Sequence, residues 1–419
     1  MIKIEQVSFT YDNARNGAAI RDINIQIPKG KIVFLCGESG NGKTTFSRLI
    51  NGLIPAYYDG DLNGRVIVSQ KDTGKVELHE LAPFVGSVFQ NPKSQFYTLL
   101  TDTEIIFACE NIGMAKEDIL DRFDSTVETI HIEKLIGKSL FALSGGEKQK
   151  IACASVHALM PDVFVLDEPT SNLDIGTIHD LRAILLGWKA QGKTVIIAEH
   201  RLTWLRDIAD RILFFQDGRI AGDFEAAAFW KKRSAELHKM GLWASYDFIP
   251  QCRKTANTRE ILRFQNFHFG VKGTELLNIN CLDIPKGTCA AILGDNGAGK
   301  TTFACCICGL EKKAAGTLNY NGQKYSIKQR LRLCNLVMQD VNHQLFTESV
   351  MDEVLLGMNH LPAEEKSFMA EEILSSLDLS DYRNVHPMSL SGGQRQRVAI
   401  VSTIASNKEI VILMNRPVV

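Results

Sequence analysis

At 419 residues the chain exceeds one ordinary core, and its size argues for about two domains. Hydrophobic residues at 45% and charged residues at 23% make a globular composition, and a formal net charge of -1 excludes a globally polyanion-seeking surface, so any phosphate site has to be local. No apolar run of about eighteen residues occurs, Met1 leads into Ile2-Lys3-Ile4-Glu5 without a basic-then-apolar leader, and the ten cysteines lack paired spacings, which predicts reduced thiols in a cytosolic chain.

The first predicted elements are short β runs over 23–27 and 31–35, then a glycine loop and a helix. GESGNGKTT, Gly37 to Thr45, fits G-x-x-x-x-G-K-[ST]. Gly37, Gly40 and Gly42 let backbone N–H groups close on phosphates, Lys43 reaches the outer phosphates, and the hydroxyl of Thr44, followed by Thr45, is placed for Mg2+. SVFQNPKSQFYTLLTDTEI (Ser87 to Ile105) leads into a helix-rich stretch, and LSGGEKQK (Leu143 to Lys150) opens a further helix. The apolar runs 163–166 and 194–198 read as buried parallel strands. VFVLDEP sets Asp167 and Glu168 at a strand end, where one carboxylate can hold a metal shell and its neighbour can orient or deprotonate water. The charged, aromatic-rich region from Asp223 to Glu260 reads as a helix plus a linker, which divides the chain into domains at 1–224 and 259–419 joined by 225–258.

The second half repeats the first at an offset of roughly 250 residues. GDNGAGKTT recurs with Gly294, Gly297, Gly299, Lys300, Thr301 and Thr302, again expected between an apolar strand and a helix. LVMQDVNHQLFTESVMDEV (Leu336 to Val354) repeats the middle segment, and LSGGQRQR (Leu390 to Arg397) repeats the later helix start. Cys305, Cys306 and Cys308 fall in the helix after the loop, a spacing that cannot converge on one tetrahedral ion.

Phosphate loop, Gln90, LSGGEKQK, VLDEP, SNLD and AEHR follow the order of the ATP-binding cassette family, and the chain resembles that family over nearly its whole length. The resemblance implies an α/β fold of two P-loop nucleotide-binding domains, each with an antiparallel β subdomain and a helical subdomain, which bind ATP and Mg2+. It gives Gln90 and Gln339 as the Mg2+-sensing glutamines that couple to a membrane partner. It gives Ser144, Gly145 and Gly146, with Ser391, Gly392 and Gly393, as signatures that touch a γ-phosphate. Asp174 resembles the D-loop residue, His200 the switch histidine and Tyr11 the aromatic that stacks on adenine. The segments after the two glutamines resemble those of energy-coupling-factor importers. That narrower resemblance implies an ATPase that meets an integral membrane scaffold and a substrate-binding component on the inner face of the membrane, and drives uptake of a vitamin, metal ion or similar small molecule.

Head-to-tail pairing of the two cassettes, also implied by the resemblance, joins Lys43, Thr44, Gln90, Asp167, Glu168 and His200 to Ser391–Gly393, and Lys300, Thr301 and Gln339 to Ser144–Gly146. The second set lacks its carboxylates. A gapless count from LSGG sets Met414 opposite Asp167 and Asn415 opposite Glu168, and Val271 opposite Tyr11. The chain stops at Val419, before a second D-loop or switch histidine, so the expectation is a second domain cut at its Walker B strand, silent in hydrolysis and short of a covering strand. One deleted nucleotide in a coding string for DEPTSGLD yields Met-Asn-Arg-Pro-Val-Val-stop, matching 414–419. Two further readings stand beside transport: a tandem cassette acting on ribosomes or nucleic acid, opposed by the near-neutral charge, and a nucleotide-binding remnant, opposed by the complete first set.

Overall fold

The computed structural model describes residues 1–12, 19–171, 173–232, 234–240, 242, 261–271, 273–358 and 361–414. The chain divides into two compact units, Met1–Pro250 and Gln251–Val419.

In the first unit, strand Ile2–Tyr11 pairs antiparallel with Ile20–Ile27 on one side and Gly60–Val68 on the other. Its sequence alternates apolar and polar, but the parity changes midway: Ile2 and Ile4 are buried, then Val7 and Phe9. A bulge absorbs the change, since the pairing slips between Ile4 and Val7 and Gln6 takes φ 48°. Across from it Gly64 sits at φ 91°, where an added Cβ would lie 2.5 Å from the Gln6 carbonyl oxygen. The second unit repeats the device. Leu262 and Phe264 give way to Phe267 and Phe269, Asn266 takes φ 45°, and Gly316 stands opposite.

The first unit's other sheet has six strands in the order Arg219–Glu225, Arg211–Gln216, Ile32–Cys36, Thr194–Ala198, Val163–Asp167, Val85–Val88. All neighbours run parallel except the first pair. IVFLC and TVIIA are buried throughout, as strands covered on both faces must be. Phe34 faces a core shared with Phe164, Trp188 and the helices Gly145–His157 and Ile175–Ala190. Val33 and Leu35 face the opposite core, with Phe9, Phe46 and Phe215, between the two sheets. Helices Thr101–Asn111 and Lys116–Ile130 pack with Gly145–His157 as the helical part. Part of the segment expected between domains belongs here: Phe229, Leu237 and Leu242 are buried in the first unit's core.

The second unit carries an antiparallel sheet of Thr274–Pro285, Ile261–Val271, Ala315–Tyr320 and Gln323–Lys324. It also has a parallel pair, Cys334–Val337 with Ile410–Leu413. The apolar strand expected before its glycine loop does not form: residues 288–294 carry no strand, and Ile292 and Leu293 are 44% and 87% exposed. The first unit's equivalent, Ile32–Cys36, is hydrogen-bonded on both sides, to Thr194–Ala198 and Arg211–Gln216. The described residues of the second unit supply neither neighbour, and a strand without a ladder leaves its backbone groups to water.

Candidate active site

The glycine loop of the first unit joins strand Ile32–Cys36 to helix Lys43–Ile50. Gly37, Gly40 and Gly42 all have positive φ, and a Cβ on Gly37 would lie 2.3 Å from the Phe215 carbonyl oxygen. Lys43 is buried, and its Nζ donates to the carbonyls of Gly37 and Glu38 at 2.7 and 2.8 Å. Burial holds its pKa below the ordinary lysine range, against the opposing pull of Glu168, Cys36 and Asp167. Thr44 donates its hydroxyl to Asp167 Oδ1 at 3.2 Å, which brings the loop and the central strand together. Thr45 shares a 3.1 Å hydrogen bond with the Tyr11 hydroxyl, which also accepts from Arg48 at 3.0 Å. The Tyr11 ring packs edge-on against Phe9 and Tyr58.

Val163–Asp167 is apolar until its last residue, so the first carboxylate appears where the strand leaves the core. Burial pushes the Asp167 carboxyl up to about 6, with the adjacent Glu168 charge adding to the shift and the Thr44 bond opposing it. Glu168 holds φ 44°, a left-handed backbone unusual for this residue type, fixed by its N–H donating to Ala198 O at 2.8 Å. Its carboxylate lies between two side chains. Gln90 Nε2 donates to Oε2 at 2.6 Å, and His200 Nε2 is 3.1 Å from Oε1. The site thus gathers Lys43, Thr44, Gln90, Asp167, Glu168 and His200 from four separate segments. Thr44, Asp167 and Gln90 offer hard oxygen donors, which fit Mg2+.

Ser144 and Ser391 occupy equivalent places, each capping the helix that follows: Ser144 Oγ accepts from Glu147 N and Ser391 Oγ from Gln394 N, both at 3.3 Å. Reciprocal bonds from Glu147 and Gln394 to the serine N–H groups complete two capping boxes. Gly145 and Gly392 are exposed at the positive ends of their helices, while Gly146 is buried against Thr177. Asp174 caps helix Ile175–Ala190 through Thr177 N at 2.9 Å.

The second glycine loop copies the first locally: Gly294, Gly297 and Gly299 have positive φ, and Lys300 Nζ donates to Gly294 O and Asp295 O at 2.7 and 2.6 Å. Its surroundings differ. Thr301 and Gln339 are exposed, Thr302 is half-buried, and Val271 is 46% exposed. Val337 pairs with Leu413, as Val88 does with Leu166, and Met414 N continues to Val337 O at 2.9 Å. Met414 therefore stands where Asp167 stands, with a thioether in place of a hard oxygen donor. Asn415 lies outside the described residues.

Three carboxylates passed over in the sequence have built environments. Glu104, 3% exposed, accepts from Tyr97 N, Thr98 N and Thr98 Oγ1 at 3.0, 2.8 and 2.9 Å. Glu353, 2% exposed, accepts from Phe346 N, Thr347 N and Thr347 Oγ1 at 3.2, 3.2 and 2.8 Å. Gln95 and Gln344 brace the same segments by accepting from Phe89 N and Met338 N. Recurrence of this glutamine and glutamate at one spacing in both copies was the available signal. The outcome is two matched loops, displaying Tyr97 at 77% and Phe346 at 73% exposure. Glu199 is the third carboxylate.

The family model described as ABC transporter matches residues 20–171 and 277–414. A Treponema denticola protein named as an ABC transporter ATP-binding protein is 41% identical over 428 residues, covering 98% of this chain and 85% of that protein. A Bacillus subtilis protein named as an HMP/thiamine import ATP-binding protein is 28% identical over 444 residues, covering 99% and 81%. Among solved structures, cbiO1 of Clostridium perfringens, described as part of the ABC transporter complex cbiONQ, aligns with a TM-score of 0.50 at 25% identity, covering 57% of this chain and 94% of that one.

Proposed function

The chain belongs to the ABC transporter family of ATP-binding proteins, and we propose that its ATP hydrolysis powers uptake of a vitamin, metal ion or similar small molecule through separate membrane subunits. The observation that carries this reading is the pair of matched loops after Gln90 and Gln339, each fastened by a buried glutamate and each turning an aromatic ring outward. Exposed aromatic and aliphatic side chains on rigidly bonded loops are what a protein partner can grip. Among the described residues no helix is long and apolar enough to cross a membrane, and the proposed membrane path belongs to separate subunits. The names of the Bacillus subtilis relative, an import ATPase, and of the cbiO1 structure, part of a transporter complex, support the same reading.

In the proposed mechanism the backbone N–H groups from Gly37 to Thr45 cradle the ATP phosphates, and Lys43 exchanges its two carbonyl bonds for phosphate oxygens. Thr44, Asp167 and Gln90 would hold Mg2+, which supplies neutralisation of charge on the phosphoryl oxygens. Glu168 takes the proton of the attacking water, and Gln90 and His200 fix its carboxylate for that task. Tyr11 lies beside the loop through Thr45 and stacks on adenine after its ring turns from Phe9 and Tyr58. Family resemblance implies that the cassettes, taken as 1–224 and 259–419, pair head to tail, with Ser391–Gly393 closing the first site and Ser144–Gly146 closing a second site built on Lys300, Thr301, Thr302 and Gln339. With Met414 in place of an acid the second site binds nucleotide without turning it over.

The test is reconstitution of the chain with the polytopic membrane proteins encoded beside its gene, followed by ATP-driven uptake of labelled thiamine precursors, cobalt and nickel into vesicles. Uptake of one of these that falls at least about tenfold in Tyr97→Ala/Phe346→Ala, with ATP turnover of the chain alone unchanged, supports the reading. Uptake indifferent to both substitutions, or no neighbouring membrane protein that binds the chain, contradicts it.

A further inference from the structure

Glu199 follows directly on the wholly buried strand Thr194–Ala198 and is itself 3% exposed. No ion pair to it forms among the described residues; its carboxylate is satisfied by donors alone. Oε1 accepts from His200 N at 2.8 Å and Arg201 N at 3.2 Å. Oε2 accepts from Thr170 N at 3.3 Å and from the Thr170 hydroxyl. The Glu199 N–H donates to Leu35 O at 3.2 Å, on the strand that feeds the glycine loop. A buried carboxylate without an ion pair is costly unless several donors converge on it, and here four do, with the Lys43 charge adding attraction from further away. Every one belongs to a segment that carries the hydrolytic groups. Thr170 lies in the turn after Glu168, whose N–H and carbonyl are bound to Ala198 O and Ser171 N. His200 and Arg201 begin the loop that brings the imidazole 3.1 Å from Glu168.

From this geometry we propose that Glu199 is a positioning residue for hydrolysis: one buried carboxylate ties the turn after Glu168 to the loop of His200 and sets the spacing between the two side chains. The bonds of its carboxylate end on those two segments, at Thr170 and at His200 and Arg201. A core apolar residue would fill the space at less desolvation cost but would leave the two segments free to part. The inference rests on reading Glu168 and His200 as the hydrolytic pair.

The experiment measures phosphate release by the full chain, in steady state and in single turnover so that slow variants remain readable, for Glu199→Ala, Glu199→Gln, His200→Ala and the double variant Glu199→Ala/His200→Ala. Glu199→Ala is expected to lower kcat about thirtyfold while KM for ATP stays within about twofold. Glu199→Gln retains an acceptor toward His200 and Arg201 and is expected to recover to within about fivefold of the parent. Because Glu199 acts through His200, adding Glu199→Ala to His200→Ala should cost less than about twofold more. Multiplying losses in the double variant, a rise in KM with kcat intact, or an unchanged kcat in Glu199→Ala would overturn the proposal. If Glu199→Ala fails to fold, Glu199→Gln and its double variant with His200→Ala carry the same comparison. Glu168→Gln is measured alongside: unchanged turnover there removes the underlying assignment of the site, whereas its loss together with an indifferent Glu199 removes only this inference.

Discussion

His157 lies fully buried near the end of helix Gly145–His157, stacked beside Phe164 and Trp188, with neither ring nitrogen hydrogen-bonded. Burial, with Lys193 and Arg122 adding cationic repulsion, pushes its pKa down to about 4. The unfolded chain therefore binds this proton more readily than the folded one. The neutral ring's contribution is full above the ordinary histidine pKa near 6.5 and is lost as pH falls from about 6.5 to 4, by roughly 3 kcal/mol. Asp167 acts oppositely: its carboxyl, raised to about 6, takes up a proton in the folded state first, which adds stability as pH falls below about 6. The difference between parent and His157→Leu isolates the histidine. Urea unfolding at pH 7 and pH 4.5 should show a parent that loses markedly more stability than the variant, and equal losses would contradict this. At the same scale Lys300→Ala should change ATP turnover less than about twofold, because Met414 provides no carboxylate there; a loss of tenfold would show that nucleotide held by Lys300 is needed at the first site. The residues of the glycine loops, signatures and VLDEP were legible because each acts through local backbone geometry that a short motif encodes. Glu199 stands within AEHR, but its task is not legible there, since its partner Thr170 lies 29 positions away and meets it only where two neighbouring strands end.

Single elements show how far local pattern reaches. Alternation in 2–11 and 261–271 predicts strands, but the parity change at Gln6 and Asn266 needs a bulge, and the bulge needs glycine opposite. Gly64→Ala is expected to destabilise the first unit by roughly 1–3 kcal/mol, because its left-handed φ and the 2.5 Å approach of a Cβ to the Gln6 carbonyl both resist a side chain. A shift of less than about 0.3 kcal/mol in chemical unfolding would mean that the bulge relaxes freely. Thr288–Leu293 marks the limit of such reading. Its apolar run has strand character, yet strand formation depends on neighbours that the described second unit does not provide, and that condition is not written in the segment itself.

At the level of the whole molecule, two copies of one plan have kept the same loop bonds, capping boxes and glutamate-fastened segments while differing in the acid that hydrolysis requires. The repeat was plain in the sequence, and the pairing of Val337 with Leu413 sets Met414 in register with Asp167. Turnover in this arrangement depends on Glu168, held between Gln90 and His200. ATP turnover by purified full-length Glu168→Gln, with nucleotide binding measured in the same preparation, tests it most directly. A fall in kcat of about a hundredfold or more with ATP binding retained is expected; turnover within about twofold of the parent would show that Glu168 is not the base.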